Sequence, residues 1–133
     1  MSIDSILFDR LKDAGGLLFP IVGTKIYPLK APQNTAAPYC VWTRIDSVRI
    51  SAMGSDTPIV RSRIQIDGFA PTFSGLRALG AAIRSRVQRW RTAGPPGVQD
   101  TFLIDESEQD EASDLYPELR RVIIQVELIH EEP

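Results

Sequence analysis

The stretch from Thr57 to Ala70 constrains this chain more than any other. Val60, Ser62, Ile64, Ile66 and Gly68 fall on one parity, and Arg61, Arg63, Gln65 and Asp67 on the other. A period of two held for this long predicts a strand in a sheet with one covered face and one wet face. The covering element follows at once. From Thr72, a helix N-cap by type, the spacing switches: Phe73, Leu76, Leu79, Ile83, Val87 and Trp90 form an apolar stripe, which predicts a helix over about 73–91. Two amphipathic elements joined by Pro71 and Thr72 hide their apolar faces most simply against each other. Gly80 and the alanines beside it allow a close approach, and Gly94-Pro95-Pro96-Gly97 ends the helix.

The rest of the chain fits around that unit. Ile3, Ile6, Leu7 and Leu11 predict a helix over about 3–14, stopped by Gly15-Gly16. Leu17 to Val22 is a short apolar stretch broken by Pro20, suited to one helical turn or a packed loop. Lys25 to Leu29 suits a brief pairing at a sheet edge, where Pro28 is tolerated. Ala31 to Pro38 reads as an extended loop. Tyr39 to Val48, rich in β-branched and aromatic residues, predicts a strand that forms a hairpin with 57–70 through a long arm around 50–57. Val98 to Ile104 reads as a strand, Asp105 to Asp114 as a polar loop or arm, and Leu119 to His130 as the last strand. The expected fold is therefore α/β (α+β): a mostly antiparallel sheet from two β-hairpins, with an N-terminal helix and one long helix on one face. With 133 residues and no repeat or low-complexity segment, a single domain over 1–133 is expected.

Composition enters mainly as exclusion. No apolar run approaches the ~20 residues of a membrane helix, and Ser2 to Lys12 mixes charge with apolar residues unlike a signal peptide. One cysteine, Cys40, forms no internal disulfide and no four-thiolate metal site. The only histidine, His130, lies at a strand end and is expected to be solvated, without a catalytic partner. No glycine-rich phosphate loop and no EF-hand ladder is present. A formal net charge of −2 gives no bulk attraction to DNA or anionic membranes. No catalytic residue, cofactor or metal is expected.

The charge is nevertheless segregated. Thr72 to Arg91 holds five arginines and no acid, and Asp100 to Asp114 holds seven acids and no base. Such blocks are either solvated surface or a complementary pair. If they meet across copies of the chain, Arg84 and Arg86 face Glu108 and Glu111, with Ile50 and Met53 in the first arm as apolar contacts. The competing placement puts the acidic arm on the wall of a channel.

In order along the chain, several motifs together resemble the small phage tail-completion proteins, also described as tail terminators or head-to-tail joining proteins. They are the N-terminal amphipathic helix ending near Gly15-Gly16; Lys25-Ile26-Tyr27-Pro28 with Ala31-Pro32-Gln33-Asn34; the proline–tyrosine strand entry Ala37-Pro38-Tyr39-Cys40-Val41-Trp42-Thr43-Arg44-Ile45; the strand-to-helix run Arg63-Ile64-Gln65-Ile66-Asp67-Gly68-Phe69-Ala70-Pro71-Thr72-Phe73; and Asp114-Leu115-Tyr116 with Arg120-Arg121 before the last strand. The resemblance implies a sheet packed against helices and a homo-oligomeric ring, typically a hexamer. It implies a structural role at the neck end of a virion tail, with tail tube protein and head–tail connector protein as partners. DNA is then only passing cargo through the lumen, no membrane is involved, and assembly takes place in the host cytoplasm. The alternatives are another neck component, a connector or stopper, or a small cytoplasmic binding domain or enzyme with a pocket near Cys40 and His130.

Overall fold

In the computed structural model the described residues are 3–13, 15–33, 35–52, 55–93, 97–112 and 118–131, with the backbone alone described at 51–52 and 55–58. Eight elements follow in order: α1 (Ile3–Lys12), α2 (Phe19–Val22), β1 (Ile26–Pro28), β2 (Tyr39–Ala52), β3 (Ser55–Ala70), α3 (Phe73–Val87), β4 (Val98–Asp110) and β5 (Arg120–Glu131). The strands form one sheet in the order β1-β2-β3-β5-β4. β1 runs parallel to β2, and every other pairing is antiparallel.

The period-two reading of β3 holds. Val60, Ser62, Ile64 and Ile66 are all at most 2% exposed and face the helices. β5 places Val122, Ile124, Val126 and Leu128 on the same face in register with them. α3 lies across β3 and β5, and α1 packs against α3 and β1. Leu76, Leu79, Ile83 and Val87 from α3, with Leu7 and Leu11 from α1, close one continuous core. Gly68 permits the approach: a Cβ there would lie 2.7 Å from Leu79 Cδ2. Thr72 caps α3 as expected, its Oγ1 accepting the Gly75 N–H at 3.1 Å.

Several expectations need correction. The first helix stops at Lys12 rather than near 14. The long helix ends at Val87, not Arg91, because the Gln88 N–H closes the last turn on the Arg84 carbonyl and Gln88 itself is extended. The chain then turns back through Arg89, at φ 56°. The Arg89 N–H reaches the Thr101 carbonyl at 2.9 Å, and Thr92 bridges Val98. Trp90 is therefore buried beside β4, where Thr101 Oγ1 donates to its carbonyl, and does not belong to the helical stripe. Phe73, at the other end of that stripe, is 53% exposed.

The first hairpin is longer than expected, with β2 continuing from Val48 to Ala52 and β3 starting at Ser55. The largest difference lies in β4. The acidic segment from Asp105 is not an arm: it continues the strand to Asp110, paired with β5 down to Arg120. Glu106 and Glu108 tolerate that position because α3 arginines meet them, as described below. The two hairpins end at opposite ends of the sheet: Ala52 and Ser55 pair beyond the end marked by Val98 and Glu131, and Asp110 and Arg120 pair at the end marked by Tyr39 and Ala70.

Candidate functional site

The charged blocks meet, and they do so inside one chain. Cross-strand register puts Glu106 and Glu108 on the helix face of β4, opposite Ile124 and Val122. α3 lies over that face, so its outward arginines reach them. Arg84 pairs with Glu106, and Arg77 Nε lies 3.2 Å from Glu108. Asp100 takes both Arg89, at 3.0 Å, and Arg91, at 3.3 Å. Burial pushes the Asp100 carboxyl up, but the Thr101 N–H, the Arg91 hydrogen bond and both arginine charges outweigh it and hold it below the usual carboxylate range. Arg86 turns the other way, with Asp13 at 3.1 Å and an exchange of hydrogen bonds with Arg10 through their backbone carbonyls. This belt ties α3 to β4 and α1.

A second cluster occupies the open face of the sheet. Asp67, on the polar parity of β3, is only 7% exposed. Arg121, from β5, sits 2.8 Å from it and 3.4 Å from Glu111. Burial lowers the Arg121 pKa, but the hydrogen bond and charge of Asp67, then those of Glu111, more than reverse this and raise it above its usual value. Arg121 also lies 5.6 Å from the Phe69 ring, which stacks on Tyr39 at 4.7 Å. With Leu29 and Pro32 from the β1–β2 loop these groups line an open hollow of about 370 Å³. Asp67, Arg121 and Glu111 are turned toward one another and brace this surface.

The sequence-expected residues separate accordingly. Arg84, Arg86, Glu108 and Glu111 each have an ion-pair partner in their own chain. Ile50 is 36% exposed on β2, and Met53 lies outside the described residues. Cys40 is fully buried, and burial, then the charge of Asp67, push its thiol up to about 12, so it is a protonated core side chain.

The solvated reading of His130 fails. Its side chain is fully buried, with Nε2 2.7 Å from Ser62 Oγ, which in turn lies 2.9 Å from Ser47 Oγ. Ser62 is 1% exposed within a strand, so this serine–histidine contact offers no path to a substrate. His130 was missed because its partners lie on other strands. Nor do Cys40 and His130 share a pocket. They are in register with Gly68 and Val60, eight residues apart along β3, or about 26 Å. Among the described residues no three His, Cys, Asp or Glu side chains gather as metal ligands.

What the molecule does leave open is its sheet edges. Among the described residues, no strand pairs with the outer side of β2 beyond Trp42. On the outer side of β4 the described residues that bond are those of the segment 89–92, at Val98 and Thr101. Ile45, Val48 and Ile50 on one edge and Phe102 and Ile104 on the other are 36–59% exposed.

Comparison with known proteins agrees with this architecture. The family model for tail completion protein gp17 matches residues 7–131. Among solved structures, a chain from the virion of a native gene transfer agent (GTA) particle superposes with a TM-score of 0.74 at 15% identity, covering 94% of this chain and 91% of that one. At that identity the likeness establishes the fold. No curated protein matches this chain in sequence.

Proposed function

The chain belongs to the tail completion protein gp17 family, a phage-tail structural family, and on that membership we propose that it forms a ring closing the end of a phage or phage-like tail tube and joining it to the head connector. The ring is six-fold by family resemblance, with the domain spanning 1–133 as its repeating unit. Its partners are further copies of itself, the tail tube protein and the connector protein, and DNA crosses its lumen as cargo. It acts at the neck end of the tail after assembly in the host cytoplasm. The role is structural, not catalytic.

The observation that carries this reading is the contrast between a sealed helix face and two apolar sheet edges left uncovered. A closed ring uses a heterologous contact, with two different patches on each subunit, and the two edges supply such a pair. Ile50 keeps its place at the contact. Arg84, Arg86, Glu108 and Glu111 serve inside the protomer, fixing the sheet on which the edges are presented.

Deletion of the gene from a phage that carries it provides the test. Electron microscopy is expected to show tails of irregular length or tails without heads, with normal particles restored on complementation. Native mass measurement on purified tails should then give a small fixed number of copies. Normal, joined particles in the deletion strain would overturn the reading.

A further inference from the structure

The geometry points to one way in which copies of this chain join: the open stretch of β2, residues 44–52, adds as an antiparallel strand to the open stretch of β4, residues 102–110, of the next copy. This rests on the ring reading above and deepens it by naming the surfaces.

Both stretches are bulged. The register shifts fall between Arg44 and Asp46 and between Arg49 and Ser51 on β2, and between Leu103 and Asp105 on β4. Bulges commonly protect an edge by twisting it away, and edges that stay alone also carry charged side chains or proline. Here the residues at the three shifts are Ile45, Ile50 and Ile104, exposed by 43%, 36% and 48%. An edge designed to stay alone would not turn isoleucines outward. Charge adds one match on the helix face: Arg44, which also lies 3.9 Å from Asp4 in its own chain, comes beside Asp110 of the next copy.

Direction and height also agree. The pairings β2–β3, β3–β5 and β5–β4 are all antiparallel, so β2 and β4 run oppositely. A neighbour rotated about an axis near the strand direction therefore presents an antiparallel edge. The two stretches are not level: Val48 is in one row with Arg61, Ile129 and Asp100, whereas Ser107 is in the row of Ile123, Asp67 and Val41. Bringing them together shifts the neighbour by six residues along β3 and β5, roughly 20 Å.

Such a shift is what a closed barrel requires. From one β2 to the next there are four strand spacings, about 19 Å, and the two lengths give a strand tilt of roughly 45°, at the upper end of the usual range for barrels. With a right-handed β3–α3–β4 crossover and right-handed strand twist, the sense of the shift puts the helices outside and the open face toward the lumen. β1, which ends at Pro28 opposite Trp42, then lies end to end with the neighbour's β4 in one column. Its shortness leaves the room that the neighbour fills.

Cysteine pairs on the open face test this on assembled tails. Val48→Cys with Ser107→Cys should form disulfide-linked ladders up to the full ring, because the shift brings those positions together. Val48→Cys with Asp100→Cys, level within one protomer, should give none. As a second measurement, Ile104→Asp should leave the melting temperature of the isolated protein unchanged and reduce its incorporation into tails at least tenfold. Rings seen by microscopy without a Ser107 ladder, or with an Asp100 ladder, would overturn the strand pairing and leave the ring reading standing. Tails that carry a single copy or an unclosed set would overturn both.

Discussion

Toward the helices, Ile64, Ile66, Ile124, Val126 and Leu128 meet α3 and α1 with at most 2% exposure. Across the same strands, on the opposite face, Arg63 pairs with Asp46 at 3.1 Å, Arg61 with Glu127 at 3.1 Å, and Gln125 donates to Gln65 at 3.4 Å. One face is held by area removed from water, and the other by polar pairs that remain largely hydrated. The difference teaches where stability and where shape are set. Burial of apolar surface supplies most of the folding free energy, whereas exposed ion pairs contribute little each. The open face can therefore vary its polar groups without endangering the fold. Each face has exceptions: His130, Ser62 and Thr101 are polar groups buried inside the covered face, and Asp67 is a charge sunk into the open one.

The largest expected effect is on the covered face. Ile83→Asp places an unpaired charge where the side chain is fully buried, and should cost more than about 4 kcal/mol. Urea denaturation reads this, and a soluble variant with an unchanged midpoint would break the distinction between the faces. A middle-sized effect comes from the open-face exception. Asp67→Ala leaves Arg121 with Glu111 alone and should cost about 1–3 kcal/mol, while Arg63→Ala, in a pair whose side chains are about half exposed, should cost less than about 1 kcal/mol. Equal losses for the two would remove the special standing of Asp67.

The smallest effect is a pH dependence at the sheet end. Asp100 has its folded pKa held below the unfolded value, so its contribution is present above the unfolded pKa, about 4, and is lost as pH falls through the folded one. Asp100→Asn should flatten the stability profile below about pH 5, measured by denaturant midpoints across acidic pH. An unchanged slope would show that Arg89 and Arg91 do not hold the carboxylate in solution.

Much of this fold is written locally. The alternation of β3, the Thr72 cap, the α3 stripe from Leu76 to Val87 and the brief edge pairing of Lys25 to Leu29 all follow from spacing, because strand and helix periods force side chains onto fixed faces. The order of motifs also carried the family resemblance. The charge blocks were visible as blocks, but not their destination. Asp105 to Asp110 reads as solvated loop because nothing nearby in sequence neutralises it, yet it is strand because Arg77 and Arg84, some thirty and twenty residues away, are laid over Glu108 and Glu106. His130 reads as exposed because it is polar and near the chain end, yet it is core because Ser62 comes to it across the sheet. Trp90 keeps the parity of a helix that has already ended, and is buried by a turn back onto β4. Sequence by itself determined which residues repeat on one face of an element. Only tertiary structure decided which charges and polar groups are buried, because desolvation is offset by partners that chain folding, not chain order, brings within hydrogen-bond distance.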